Sequence, residues 1–414
     1  LTSAGPARHH PPSRSRSLHP AAPLTSPALR RARELAHGTD DATLRDQLEL
    51  VRIPAPPFGE AERGAEVLAR FHALGFAAAA ADEVGNVVAT LSGEPGHAPV
   101  VVAAHLDTVF PAGTDVEPRF EGGRIYAPGI TDNTRGLAGM LAVARAARSA
   151  GVRTRRPVHF VATVGEEGTG DLRGVKHLFR TGSPLRTAAA FVALDGSGMR
   201  RIVQRAIGSR RLRVTVEGPG GHSWADRGSP NPIVALGAAT AEISTLALPH
   251  PERSSLTVAR IGGGTSINAI PDAAWMELDM RSEAPGVLPD IEASVRGIVS
   301  RVVREESNGR RTGTHPLRAR VEVIGDRPSG ETAPNTELVR IATRATAAVG
   351  GRPELVSSST DANVPMALGI PSIAIGVGGD SGGIHTTEEW YSNEGGASGV
   401  ERALIIILEA AGAT

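Results

Sequence analysis

Apolar positions along this chain recur in two rhythms. In the segments ALRRARELA, DATLRDQLELVRI and EAERGAEVLARFHALGF they return every three or four residues, the period of amphipathic helices. Short runs rich in Val, Ala, Leu and Phe follow (NVVATL, APVVVAAHL, VHFVATV, AAAFVAL), interleaved with the helical patterns GLAGMLAVARAARSAG and GVKHLFR. Continuous apolar runs alternating with helices predict βαβ units and a mostly parallel sheet covered by helices. Near residue 208 the texture changes. RLRVTVEG, SLTVARIGG and WMELDMRSE alternate apolar and polar positions as half-buried strands do, and PIVALGAATAEISTLA and LPDIEASVRGIVSRVVREE read as helices. ELVRIATRATAAVG and IPSIAIGVGG then restore the first rhythm. The expected fold class is α/β, with residues 28–207 and 325–414 forming one domain and 208–324 a smaller α+β domain inserted into it. A chain of 414 residues exceeds the roughly 250–300 at which single cores stop growing, in keeping with two domains.

The apolar runs end on polar residues. VVVAA closes on His105 and Asp107, which share a strand face because they are two apart. Glu166 and Glu167 follow VHFVATVG, Asp195 follows AAAFVAL, and His385 comes soon after SIAIGVGG. Asp132, in GITDNTRGLAGM, stands just before a helix. Sites in open α/β sheets form beyond the carboxyl ends of the strands, so these segments should deliver their polar ends to one edge. Each residue alone has an ordinary structural reading: His105 as a satisfied strand-end group, Asp132 as a helix N-cap, the Glu pair as a solvated turn, Asp195 as a turn starter. His159, inside VHFVATV, is read as a core-strand residue. As a set, two imidazoles with several carboxylates suit one or two divalent ions, zinc first, with Co2+ or Mn2+ as alternatives. Asp107 is placed to accept the other N–H of the His105 ring. Of the Glu pair, one can ligate while the other acts as general base in metal-assisted hydrolysis.

Composition narrows the alternatives. The chain has no cysteine, so thiolate ligands and disulfides are excluded. Its 44 basic and 44 acidic residues balance, and only 8 Phe, 3 Trp and 2 Tyr are present, which gives no basis for a nucleic-acid partner. The arginines of RRIVQRAIGSRRLR, residues 200–213, read as a solvated face at the domain junction. No apolar run approaches the roughly 18 residues of a membrane helix, and a cytoplasmic location is expected. Residues 1–27, rich in Pro, Ser, Arg and His, read as a disordered extension and not a signal peptide, with His9 and His10 part of that tail.

HLDTVFP, APGITDN, GEEGTG, ALDGSG, GPGGHS, GGTSINAIP, LDMRSE and GGIHTTEE stand in the order seen in a known group of enzymes. Through them the chain, from about residue 30 to 414, resembles the co-catalytic zinc exopeptidases that include peptidase T, glutamate carboxypeptidase, aminoacylase and acetylornithine deacetylase. The resemblance implies that His105 and Asp195 bind one zinc, Glu167 and His385 the other, and that Asp132 bridges both. It implies Glu166 as general base and Asp107 as the carboxylate orienting His105. The inserted domain would be a dimerisation or lid domain. Its His222 would reach the scissile carbonyl, from the partner subunit in a homodimer, while Asn268 and Arg281 would hold the substrate's backbone and free carboxylate. The implied substrate is a small peptide or N-acyl amino acid, and an Asp at 195 points toward a di- or tripeptidase, with deacylase or carboxypeptidase activity as the alternative.

Two departures touch this expectation: Asn133-Thr134-Arg135-Gly136 after the bridging Asp, and serines at 357–359 where glycines are common. Both are expected near the substrate. Thr360 and Asp361 fall there too and read as helix N-cap residues. A rival reading uses Ser223 in GHSWA as a nucleophile, with Asp361 and His385 completing a serine triad, although Gly218-Pro219-Gly220-Gly221 replaces the direct strand-to-helix turn of a nucleophile elbow.

Overall fold

The computed structural model describes residues 26–250, 253–308 and 313–414. The expected N-terminal extension, through residue 25, lies outside the described residues. The first helix, Pro27–Gly38, opens on Ser26, whose side chain accepts the Leu29 N–H.

Apolar runs without alternation become buried strands here because both faces of the sheet are covered. The large sheet runs Ala80–Ala81, Val87–Leu91, Val158–Thr163, Val100–His105, Ala190–Leu194, Ser372–Ile375, Arg201–Ala206 and Gly330–Glu331, with Glu354–Ser358 also paired to Arg201–Ala206. Its four central strands, from Val158–Thr163 through Ser372–Ile375, are parallel. In Val100–His105, Val100, Val102 and Ala104 face one core while Val101 and Ala103 face the other. The first core is closed by helices Thr134–Ser149 and Gly396–Ala411, the second by Arg173–Leu178 and its neighbours. Gly396–Ala411 is apolar nearly all round and is buried accordingly. His159 is half-buried on its strand, with Nδ1 2.8 Å from the Thr90 hydroxyl, and takes no part in the cluster below.

Alternation gives the second sheet one buried face. Ser254–Gly263, Ala273–Ser282, Gly208–Glu217 and Arg318–Arg327 pair antiparallel in that order. Leu212, Val214, Met276 and Leu278 pack with Leu236, Ile291 and Val295 of helices Pro232–Ile243 and Val287–Asn308 in a separate core. The last strand is bulged at Ile324 and runs on to Arg327.

The arginine-rich stretch takes a different form from the one expected. Residues 201–206 are an interior strand of the large sheet, and Arg205, Arg210, Arg211 and Arg213 are ion-paired with Glu331, Asp326, Asp279 and Glu277. Among the described residues no helix is long and apolar enough to cross a membrane.

Candidate metal centre

The carboxyl ends of the four central parallel strands meet at one edge, and each carries its polar residues there. His105 ends its own strand, Glu166 and Glu167 follow Val158–Thr163, Asp195 follows Ala190–Leu194, and His385 lies beyond Ser372–Ile375. Asp132 enters from the turn before helix Thr134–Ser149. Its two carboxylate oxygens face different histidines: Oδ1 is 3.0 Å from His105 Nε2, and Oδ2 is 3.0 Å from His385 Nε2. His385 Nε2 is also 3.1 Å from Glu167 Oε1, and His105 Nε2 is 3.9 Å from Asp195 Oδ1. Ligating atoms within 4.8 Å of one another include the sets His105–Asp132–Asp195 and Asp132–Glu167–His385, which share Asp132, and His105 also groups in this way with Glu166 and Glu167.

The surrounding structure fixes these groups. Asp107 is fully buried and holds two elements at once. Its carboxylate accepts the backbone N–H groups of Glu166 (2.9 Å) and Glu167 (2.7 Å), while its backbone carbonyl lies 3.0 Å from His105 Nδ1. The Asp107 carboxylate, expected to orient His105, stands 3.7 Å from the ring as its ion-pair partner while bonded to the Glu166–Glu167 turn, and the carbonyl of the same residue makes the shorter contact with the imidazole. Buried Glu389 does the same for Asp132, its carboxylate accepting the N–H groups of Gly129, Thr131 and Asp132 at 2.9, 2.7 and 3.0 Å. Asn133 caps the helix after Asp132 and also bonds Leu194 O and Gly196 N, tying that turn to Asp195. Arg135 is fully buried against the carbonyls of Val377 and Gly396. This departure from the family pattern therefore faces the core and not the substrate.

Crowded carboxylates set the electrostatics. Burial raises Asp195 to about 7 and Asp107 to about 6, and drives Glu166 well above the ordinary carboxylate range against the pull of Arg327. Burial would also raise Asp132, but His105 and His385 hold it below the usual value. His385 is raised to about 10 by Asp132 and Glu167. Burial would lower His105, yet Asp132 and its neighbours hold it well above the ordinary imidazole value. Asp132 Oδ1 is buried and faces the His105 ring nitrogen, 3.0 Å away, with no well-aligned hydrogen bond to it. Two imidazole nitrogens facing both oxygens of one buried carboxylate, among further carboxylates and no thiol, fit a divalent cation.

A cleft of about 630 Å³ opens over the cluster, lined on one side by the large sheet and on the other by Ser209, Arg211, Arg281 and Arg327 of the second. Arg281 is among the residues lining it, with Nε 2.7 Å from Asp279. His222 and Asn268 do not line it. His222 ends the two-residue strand Gly221–His222, which pairs with Ala269–Ile270, and Asn268 directly precedes that partner, its carbonyl accepting the Ser223 N–H; His222 Nδ1 accepts the N–H groups of Trp224 and Ala225. Ser358 and Ser359 line the cleft, so the serine departure does touch the substrate side. Neither Thr360 nor Asp361 is the helix N-cap expected of them: Ala362 holds that position before Asn363–Ala367 without a side-chain cap, Thr360 Oγ1 accepts the Ala362 N–H in the preceding turn, and Asp361 is buried against the Thr163 hydroxyl. The serine triad does not form, because His385 faces Asp132 and Glu167, Asp361 faces Thr163, and Ser223 lies outside the cleft.

Sequence reasoning missed Arg327. Its Nη1 lies 3.0 Å from Glu166 Oε1, and Nη2 also bonds the Glu166 carbonyl. The preceding RARVEVIGD carries no motif and ends in a bulged strand, leaving only an Arg–Pro step to mark it.

A model of the peptidase family M20/M25/M40 matches residues 101–409. An uncharacterised Bacillus subtilis protein, YqjE, is 30% identical over 89% of this chain and 98% of its own length. The crystal structure of aminopeptidase PepT from Bacillus cereus superposes with a TM-score of 0.71 at 26% identity, covering 90% of this chain and 99% of that one. Bacillus subtilis YxeP, a dinuclear metal-binding peptidase, shares the fold at 15% identity with a TM-score of 0.65, over 90% of this chain and 99% of its own.

Proposed function

This chain belongs to peptidase family M20/M25/M40, whose members hydrolyse peptide or amide bonds, and we propose that it is a two-metal exopeptidase acting on di- or tripeptides. The observation that carries the reading is the Asp132 carboxylate, with one oxygen 3.0 Å from His105 and the other 3.0 Å from His385. One ion would be held by His105, Asp132 and Asp195, the other by Asp132, Glu167 and His385. Zinc suits these imidazole and carboxylate ligands, and a two-ion site is in keeping with YxeP being a dinuclear metal-binding peptidase. Ions bound there would polarise the scissile carbonyl and lower the pKa of an attacking water.

The protein's own groups do the rest. Glu166 takes the water's proton and returns it to the leaving nitrogen. Arg327 holds that carboxylate in place and favours its ionised form. Asp107 fixes the Glu166–Glu167 turn and His105 together. Arg281 would receive the free carboxylate of the substrate and Asn268 its backbone. His222 accepts at Nδ1, which leaves Nε2–H as a donor for the developing oxyanion. Because His222 lies outside the cleft of the single chain, that contact requires a second subunit or closure of the 208–324 domain. The same cleft accommodates an N-acyl amino acid, the second reading.

Elemental analysis of wild type and Glu166→Ala, together with hydrolysis of a dipeptide and N-acetyl amino-acid panel, tests this. Two ions per chain in both proteins, with turnover lost in the variant and on chelation, is the expected result. Turnover by a folded protein free of stoichiometric metal would refute it.

A further inference from the structure

Outside the metal cluster, the cleft has more guanidinium groups than carboxylates left to pair with them. Four guanidinium groups line it, those of Arg201, Arg211, Arg281 and Arg327. Arg327 is committed to Glu166. Arg211 and Arg281 share one carboxylate, that of Asp279, with Nε–O distances of 3.1 and 2.7 Å. The remaining acids lining the cleft, Asp132, Glu167 and Asp195, belong to the metal cluster. Arg201 is exposed and its side chain makes no hydrogen bond or ion pair among the described residues.

Its position follows from the topology. Strand Arg201–Ala206 runs antiparallel to Ser372–Ile375, with Ile202 opposite Ile375, so it begins at the edge where the central strands end. Arg201 therefore stands on the wall that carries Asp195 and Gly376, whereas Arg281 enters from the second sheet. The buried Arg402 guanidinium donates to the Arg201 carbonyl at 2.9 Å, which pins the backbone and leaves the side chain to the cleft. The Ser197 and Ser381 hydroxyls, 2.6 Å apart on the same lining, add neutral hydrogen-bonding capacity.

A bare guanidinium in a partly enclosed cavity is suited to a carboxylate, by a charge-assisted and often bidentate contact. With Arg281 assigned to the free carboxylate of the leaving half, an assignment that rests on the proposed function, the acyl half lies along the opposite wall. We infer that Arg201 binds a second carboxylate on the acyl half, so that the substrate is an amide acidic on both sides of the scissile bond. Two kinds of compound share that chemistry: a peptide beginning with an acidic residue, and an amino acid acylated by a dicarboxylic acid.

The test compares matched pairs on the metal-loaded enzyme, Glu-Ala against Gln-Ala and N-succinylalanine against N-butyrylalanine. The acidic member of at least one pair should be favoured by about ten-fold or more in kcat/KM, a factor within reach of one charge-assisted contact. Which pair shows it identifies the source of the carboxylate. Arg201→Ala should bring that ratio close to one, and Arg201→Lys should retain part of it. Equal rates within both pairs, or a preference that survives Arg201→Ala, would overturn the inference. Calorimetric titration of the same pairs into Glu166→Gln, with and without Arg201→Ala, reads the preference without turnover. If wild type hydrolyses none of the compounds, the proposed function fails, and the titration alone decides whether Arg201 reads a carboxylate.

Discussion

Arg327 Nη1 and Glu166 Oε1 stand 3.0 Å apart, each on a side chain about 7% exposed, and the pair joins the end of the second sheet to the turn that carries the proposed base. Burial pushes Glu166 well above its ordinary pKa and the guanidinium opposes that. Arg327→Met should therefore raise the Glu166 pKa further and move the acid limb of the kcat/KM profile to higher pH, because the base works only when ionised. Leaving a buried carboxylate without its partner typically costs about 3–5 kcal/mol, so Tm should fall as well. An acid limb that does not move would separate Arg327 from the base.

Asp107 makes a second prediction. Its carboxylate is the acceptor for two backbone N–H groups and lies 3.7 Å from the ring it was expected to orient. In Asp107→Ala both donors lose their partner, at about 1–3 kcal/mol each for a buried group left unpaired. Because His105 is oriented by the residue 107 carbonyl, which any side chain supplies, the loss should appear at the Glu166–Glu167 turn. We expect lower Tm, weaker retention of the ion assigned to Glu167, and a larger fall in kcat than in KM. Metal content per chain against chelator concentration, alongside steady-state kinetics, checks this.

The cluster was legible because its residues close apolar runs long enough to be read as buried strands, and parallel strands bring their carboxyl ends to one edge. His105, Glu166, Glu167, Asp195 and His385 needed only that rule to be placed together, whereas Asp132, in the turn before a helix, joined them only by its neighbourhood in sequence. The guanidinium side of the cleft was not legible. RIVQRA holds only two adjacent strongly apolar residues and sits in an arginine-rich stretch, so an interior strand resembled a solvated junction. Arg327 follows a bulge at Ile324, which breaks the period that would have continued the strand to it. Which part of Asp107 meets which neighbour depends on a turn from another segment, and spacing within one strand does not carry that information.

Metal-free protein should lose stability as pH rises. The folded chain holds Asp195 at about 7 and His385 at about 10, both above their ordinary values, so between roughly pH 4 and 10 it binds protons that the unfolded chain has released. Stability from these groups is full below the unfolded pKa values and is lost as pH passes the folded ones. Divalent ions replace those protons, so the rise in Tm on adding metal should grow with pH. Melting curves from pH 5 to 9, with chelator and with added zinc, measure both slopes, and a metal-free Tm that climbs over that range would contradict the charge arrangement.

Glu389 provides the last test, because it acts on the bridging group without facing the cleft. It is fully buried, burial raises it to about 7, and its two oxygens accept the N–H groups of Gly129, Thr131 and Asp132. Glu389→Gln keeps the volume but turns one acceptor into a donor that faces other donors. The turn must then shift, and with it the two oxygens of Asp132 that stand against His105 and His385. Since Asp132 belongs to both ligand sets, both ions should be held more weakly, whereas Glu167→Ala should weaken mainly the one shared with His385. Competition with a chelator, followed by elemental analysis at increasing chelator concentration, distinguishes the patterns. Two ions lost together in Glu389→Gln and one lost first in Glu167→Ala is the expected outcome, and a Glu389→Gln protein that retains both at wild-type chelator concentrations would show that the Asp132 turn holds its shape without Glu389.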